Sequence, residues 1–351
     1  MLLKRVKGKL IITANTKIKY QNIIEKVLKV KSLFLKEAVD YFRKAIEVNP
    51  LDPRGYINLG ITLTQQGKWK EAVESFNKAL EIYPESTMAL FHLGEAYFKG
   101  GEFEEALKVY QSLIAITPNN GELWYEISNC YSCLGNIKES IKALEEAQKW
   151  SPFNWKIYYN LALAYKLVGE YKKAVELFKK AVELNPYDFL LYYDLGNAYT
   201  YINEIPLAIE AYKKAIELNP KDVYAYNHLG MAYATIGDYS KAIEEYEKAL
   251  AINPNDLYAN HYMGIAKAKV GQLEEAIKYL THALEINERL WEARIALGMI
   301  YEQMGDYSKA LEHLQFACQY GEDNIALVTK EEREVIEDKI ESLKKKSREE
   351  V

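Results

Sequence analysis

The sequence predicts an all-α protein, a right-handed α-solenoid (superhelix) of stacked antiparallel helix pairs. Three observations predict this fold: prolines recur every 34 residues, glycines recur at the same step, and the apolar residues between them follow one helical face. The prolines are Pro50, Pro84, Pro118, Pro152, Pro186, Pro220 and Pro254, and the glycines are Gly67, Gly101, Gly135, Gly169, Gly237, Gly271 and Gly305. A fixed period of this length is typical of stacked supersecondary units.

The sequence pattern of each 34-residue unit predicts two helices joined by a short turn, as residues 223–256 illustrate. The first helix carries an apolar face at Tyr226, Leu229, Ala232 and Tyr233, and the second carries one at Tyr239, Ala242, Ile243, Tyr246, Ala249 and Leu250. Gly237 lies between them, where a left-handed residue ends a helix. Pro254 ends the second helix because its ring disfavours helical geometry in the preceding residue. Asn203 replaces glycine in one unit, and asparagine tolerates a positive φ.

Small residues mark the places where the two helices of a unit approach each other. They are Gly60, Gly94, Gly196, Gly230, Gly264 and Gly298 on the first helices, and Ala72, Ala106, Ala174, Ala208, Ala242, Ala276 and Ala310 on the second. Large residues such as Phe76, Tyr110 and Tyr246 recur between them. One helix pair cannot bury both of its faces, so we expect each unit to stack on the next.

This pattern resembles the tetratricopeptide repeat family, in which an aromatic residue, Leu-Gly, Tyr, Ala, an aromatic residue, Ala and Pro stand at fixed offsets. One unit has the pattern as Tyr192, Leu195, Gly196, Tyr199, Ala208, Tyr212, Ala215 and Pro220. The resemblance covers about residues 36–324. It implies a superhelix whose first helices line a concave groove.

The chain divides into three predicted parts. Residues 1–18 form a basic, poorly defined arm, and residues 19–324 form an array of about nine repeats with a degenerate first unit. Residues 325–351 form a C-terminal capping helix, which Thr329 and Glu332 begin as a capping box and which presents an apolar stripe from Val335 to Leu343. Terminal repeats need such a polar outer cover.

Charge is distributed unevenly along the chain. Residues 1–50 contain 12 Lys and Arg against 4 Asp and Glu, whereas the whole chain has a net charge of −5. A basic arm of this kind can bind nucleic acid or an anionic membrane, but a solvated arm is the simpler interpretation, so we expect no nucleic acid partner. The chain has no apolar run of membrane-spanning length and no secretory signal pattern, so we expect no membrane insertion and a cytoplasmic location.

No motif indicates catalysis, a cofactor or a metal. Cys130 and Cys133 match C-x-x-C, but no second ligand pair accompanies them, and Cys130 occupies a slot that holds alanine in other repeats. The five histidines form no metal-binding motif, and every glycine that could suggest a phosphate loop is a repeat glycine. We therefore expect a protein that is not an enzyme.

The groove that the resemblance implies supplies the candidate binding residues. Two rows of residues, four positions apart on successive first helices, share one face. With two flanking tyrosines, the candidate peptide-binding residues are Phe91, Tyr125, Asn129, Tyr159, Tyr193, Asn197, Tyr224, Asn227, Tyr258 and His261. Tyrosine offers contact area at low entropic cost, and asparagine can pair with a peptide backbone. The alternative is that these tyrosines only pack the inner ring of helices.

The function predicted from the sequence is a non-catalytic scaffold or adaptor that holds a peptide or protein segment in its concave groove. Two alternatives stay open: a repeat arm that presents substrates to an enzyme, resembling the repeat portion of O-GlcNAc transferases, and a self-assembling scaffold. The lysines of the clamp that binds heat-shock chaperone tails are missing from the matching slots, which hold Tyr159, Leu163, Asp194, Asn227 and Met231. That chaperone role is therefore disfavoured.

Overall fold

The computed structural model describes residues 5–6, 9–10, 33–323 and 330–349. Apart from a two-residue hairpin, β1 (Arg5–Val6) antiparallel to β2 (Lys9–Leu10), these residues form helices. The all-α prediction is confirmed, and the short hairpin is a feature that the periodicity did not predict. The chain divides into two compact units, Met1–Ile157 and Tyr158–Val351.

Helices alternate regularly along the first unit. Helix α1 covers residues 33–48. It is followed by α2 (Pro53–Gln65), α3 (Trp69–Ile82), α4 (Thr87–Lys99), α5 (Phe103–Ile116), α6 (Gly121–Cys133) and α7 (Ile137–Trp150). The even-numbered helices are the first helices of the repeats, and the odd-numbered ones are the second helices.

The second unit continues the same order. It contains most of α8 (Trp155–Leu167), then α9 (Tyr171–Leu184), α10 (Phe189–Tyr201), α11 (Ile205–Leu218), α12 (Val223–Thr235), α13 (Tyr239–Ile252), α14 (Leu257–Lys269) and α15 (Leu273–Ile286). The last helices are α16 (Trp291–Gln303), α17 (Tyr307–Asp323) and α18 (Lys330–Glu349).

Backbone chemistry places the helix ends where the sequence predicts them. The seven repeat glycines have positive φ, and Asn203 (φ 61°) is the one other residue with positive φ in the described ranges. Most first helices begin at an Asp, Ser or Asn whose side chain accepts a first-turn N–H; Asp222, for example, accepts from the Ala225 N–H at 2.8 Å. This capping position recurs every 34 residues and explains the regular starts of the first helices.

The core consists of the helix contacts within and between neighbouring repeats. A Cβ placed on Gly230 would stand 2.5 Å from Cε1 of Tyr246, so only glycine allows the ring to lie against α12. The alanines at the crossing points, such as Ala208 and Ala242, are fully buried. At the end of the second unit, Ile336, Ile340 and Leu343 of α18 pack in a cluster with α17. The expected capping box cannot be compared, because Thr329 lies outside the described residues.

Candidate functional site

Two candidate tyrosines of the second unit connect successive first helices. The Tyr159 hydroxyl on α8 donates to Oδ2 of Asp194 on α10 at 2.8 Å. The Tyr193 hydroxyl on α10 lies 3.4 Å from Nδ1 of His228 on α12, and the two rings meet edge to face at 5.2 Å. Both tyrosines are half-buried. In each case the tyrosine of one repeat reaches a residue one position beyond its own equivalent in the next repeat.

Asp194 is the charged centre of this surface. Its side chain is 13% exposed, and Nζ of Lys166 on α8 lies 3.7 Å from its carboxylate. Burial raises the pKa of Tyr159, and the neighbouring Asp194 carboxylate raises it further. The Tyr159 hydroxyl therefore stays protonated and donates to the carboxylate. From the sequence, Asp194 was considered only because it stands in a slot of the chaperone clamp. It nevertheless directly follows the candidate Tyr193.

Asn197, Asn227 and His261 are less accessible than side chains that only line a groove. Asn197 accepts from the buried Tyr212 hydroxyl at 2.8 Å. Asn227 is 3% exposed, and its Nδ2 donates at 2.9 Å to Asp256, the residue that caps α14. His261 is also buried, and burial lowers its pKa to about 4. Asn197 and Asn227 therefore join different helical segments, whereas His261 is buried without a hydrogen bond to its Nδ1.

An exposed apolar row runs beside these residues. Leu190, Tyr224 and Tyr258 occupy the same slot on α10, α12 and α14, 34 residues apart, and they are 46%, 60% and 53% exposed. The ring of Tyr258 stacks on that of Tyr262, with centroids 6.5 Å apart. Among these three residues, the sequence analysis identified the tyrosines and missed Leu190, which the 34-residue step could have found. We call Leu190, Tyr224 and Tyr258 the exposed apolar row.

The remaining candidates lie in the first unit and have acidic neighbours. Phe91 on α4 is half-buried, with its ring centroid 6.0 Å from that of Tyr110. Tyr125 and Asn129 are half-buried on α6, and Asn129 donates to Oε2 of Glu126 at 3.2 Å. Burial raises the pKa of Glu126 above its usual range, partly offset by the Asn129 hydrogen bond. Three of the ten candidates therefore lie in the first unit and seven in the second.

The cysteine pair has the character of packing residues. Cys130 is fully buried, Cys133 is exposed, and burial raises the pKa of the Cys130 thiol to about 12. A thiol with such a pKa holds its proton near neutral pH and is a poor nucleophile. Within the described ranges, no group of three or more His, Cys, Asp and Glu side chains could hold a metal ion.

Tetratricopeptide repeat models match six segments: residues 29–87, 63–130, 101–164, 155–188, 193–256 and 256–320. The chain belongs to the tetratricopeptide repeat family, as the sequence pattern predicted. No curated protein is significantly similar to the chain. In the described part of the chain, no helix is long and apolar enough to cross a membrane.

Many solved structures are similar to the chain. The MamA protein is 34% identical over 48% of this chain and 92% of its own, with a TM-score of 0.46. The C-terminal part of a TPR repeat-containing protein from Cytophaga hutchinsonii is 19% identical over 69% of this chain and 99% of its own, with a TM-score of 0.60. A chain of the APC/C hetero-tetramer Cut9-Hcn1 is 19% identical over 88% of this chain and 59% of its own, with a TM-score of 0.50. The last two similarities show a shared fold.

Proposed function

We propose that this protein is a non-catalytic scaffold that binds a peptide or an extended protein segment along the first helices of its repeats. The tetratricopeptide repeat fold supports a role in protein interactions. In the second unit, the proposed contact surface consists of the exposed apolar row with the half-buried polar residues beside it. We expect apolar side chains of the ligand to pack on the row and its main chain to pair with the polar residues.

The observation that carries this proposal is the exposure of large apolar side chains at one slot of three successive repeats. Tyr224 and Tyr258 each leave more than half of their surface in contact with solvent, and Leu190 leaves nearly half. Contiguous apolar surface of this kind usually marks an interaction site. Tyr159 and Tyr193 are less suited as anchors because they already bind neighbouring first helices.

The charge of this surface also limits the ligand. Asp194 supplies the carboxylate among the half-buried polar residues beside the exposed apolar row. It already accepts a hydrogen bond from Tyr159 and lies near Lys166. The same group of polar residues contains His228 on α12 and Asn197 on α10. We therefore propose a ligand with apolar or aromatic side chains at this position rather than a highly charged one.

A peptide library displayed on phage and selected on the full chain would supply the probe. The affinity of a selected peptide would then be measured by calorimetry for the parent and for the Tyr224→Ala, Tyr258→Ala double variant. Aromatic anchors commonly cost about 2 kcal/mol when truncated, so we expect the double variant to bind at least about thirtyfold more weakly. The rings are exposed, so the helical circular dichroism should not change.

Tyr187→Ala is the matched control, because Tyr187 lies in the same unit and is 84% exposed but stands outside the first helices. This variant should bind like the parent. Equal affinity of the parent and the double variant would contradict the proposal. A selected peptide whose binding is weakened only by Tyr187→Ala would contradict it as well.

Two further expectations remain proposals. We propose the division into a basic arm (1–18), a repeat array (19–324) and a capping helix (325–351), which limited proteolysis with mass spectrometry can test. We also propose a cytoplasmic location, which cell fractionation with an antibody against the chain can test.

A further inference from the structure

Helix α1 exposes a continuous apolar stripe at the start of the repeat array. Phe34, Tyr41 and Val48 are 70%, 69% and 86% exposed, and they stand seven residues apart on one face of the helix. Ala38 and Ala45 lie between them on the same face, half-buried and exposed respectively. We call these five residues the α1 stripe.

The opposite face of α1 is covered by the next repeat. Val39 is 6% exposed, and Phe42 and Ile46 pack against the cluster of α2 and α3. In that next repeat, Ala72 and Ala79 occupy the slots of Ala38 and Ala45, and both are fully buried. The middle of the α1 stripe, Ala38, Tyr41 and Ala45, therefore occupies slots that are buried in the next repeat, at Ala72, Ser75 and Ala79, whereas the slots of Phe34 and Val48 are exposed or half-buried there, at Lys68 and Ile82.

The first repeat departs from the others at the slot of the positive-φ glycines. Leu33 occupies the slot of the positive-φ glycines, yet residues 33 and 34 are already helical, and Leu33 is not among the residues with positive φ. A left-handed conformation costs leucine about 1–2 kcal/mol. The first helix expected for this repeat, with Ile23, Ile24, Val27 and Leu28, lies outside the described residues.

The stripe is complementary to itself in one orientation. If two α1 helices lie antiparallel with Tyr41 at the midpoint, Phe34 of one copy faces Val48 of the other, and Ala38 faces Ala45. Glu37 and Lys44 are both exposed and flank the same side of the stripe, seven residues apart. The two-fold axis of this antiparallel pair is perpendicular to both helices and passes through the midpoint of the stripe. It places the flanks with Glu37 and Lys44 of both copies on the same side of the interface, so Glu37 of each copy meets Lys44 of the other.

We propose that the α1 stripe is the interface of a homodimer in which two copies of this chain pair their α1 helices antiparallel. This interface is separate from the exposed apolar row and does not depend on the proposed function. A pair of helices of this length makes a small contact, so we expect a dimer that dissociates in about the micromolar range.

Light scattering on the full chain over a concentration series tests the proposal. The parent should pass from monomer to dimer, and Tyr41→Arg should abolish the dimer. Glu37→Lys alone and Lys44→Glu alone should each weaken it about tenfold, because two attractive pairs become repulsive. An equimolar mixture of these two single variants should form the mixed dimer, since both of its pairs are attractive.

Glu47→Lys is the matched control, because Glu47 is exposed on α1 but lies away from the stripe. It should dimerise like the parent. A parent that stays monomeric at every concentration overturns the proposal. A dimer that survives Tyr41→Arg, or single variants whose mixture recovers nothing, overturns it equally.

Discussion

At the scale of single residues, burial sets the protonation of His261. The histidine is 6% exposed on α14, and burial lowers its pKa to about 4. The usual histidine pKa is about 6.5, so the unfolded chain takes up a proton at a pH where the folded chain keeps the ring neutral. The contribution of this histidine to stability is therefore fully present above about pH 6.5 and is lost as the pH falls towards 4.

We predict that His261→Gln makes the free energy of unfolding less dependent on pH. Between about pH 6.5 and 5 the parent should lose about 2 kcal/mol more stability than the variant, because only the parent protonates residue 261 on unfolding. Urea unfolding at a series of pH values measures this difference. Thr235→Gln is the control, because Thr235 is an exposed residue of α12 that does not titrate. An equal pH dependence of the free energy of unfolding in the parent and in His261→Gln would contradict the prediction.

At the scale of helices, α18 covers the end of the array through a narrow apolar stripe. Leu343 is fully buried, and Ile336 and Ile340 are each 8% exposed against α17. Lys339 and Lys346 also reach Glu302 at the end of α16, at 2.8 and 3.1 Å. The two lysines are partly exposed, so the apolar contact contributes more to the docking of α18 than the ion pairs do.

We predict that Leu343→Asp detaches α18 and weakens the last repeat only. A buried carboxylate without a partner is costly, so the helix should leave its site and expose Leu314 on α17. Hydrogen exchange should become faster in residues 291–318 and stay unchanged in residues 223–252. Val335→Asp is the control, because Val335 lies on the same helix and is 67% exposed. Unchanged exchange in α16 and α17 would argue against a capping role.

At the scale of the whole molecule, contacts are confined to neighbouring repeats. In the described residues, each core cluster combines helices from adjacent repeats, such as the cluster of Ala162, Phe178 and Leu195. The stability of such an array is close to a sum of repeat stabilities and nearest-neighbour contacts. Local damage should therefore stay local, unlike damage to a single closed core.

We predict that Phe178→Ala opens the middle of the second unit without unfolding its end. The ring is fully buried, and its loss should cost about 3–5 kcal/mol. Hydrogen exchange should become faster in α8 to α11 and remain slow in α14 to α16, because only adjacent repeats share contacts with this residue. Leu207→Ala is the control, since Leu207 is 40% exposed on α11. Equal acceleration in α14 to α16 would show that the array unfolds as one unit.

The family, the all-α fold, the repeat step and the ends of most helices could all be predicted from the amino-acid sequence. These properties depend on local backbone chemistry: glycine or asparagine at positive φ, proline after the second helix, and a capping side chain before the first. Each of them acts within a few residues, so a repeated pattern is enough to reveal it. The positive φ of Asn203 is the clearest case.

The exposure of each groove candidate, and whether it bonds to another helix, became visible only in the folded chain. Tyr159 and Tyr224 have the same side chain, but one binds Asp194 and the other is 60% exposed. Asn227 likewise finds its partner, Asp256, in the next repeat. Such partners are about one repeat apart in sequence, so their contacts depend on how successive helices stack. No local pattern contains that information, because burial and hydrogen bonding across repeats are set by the packing of whole helices.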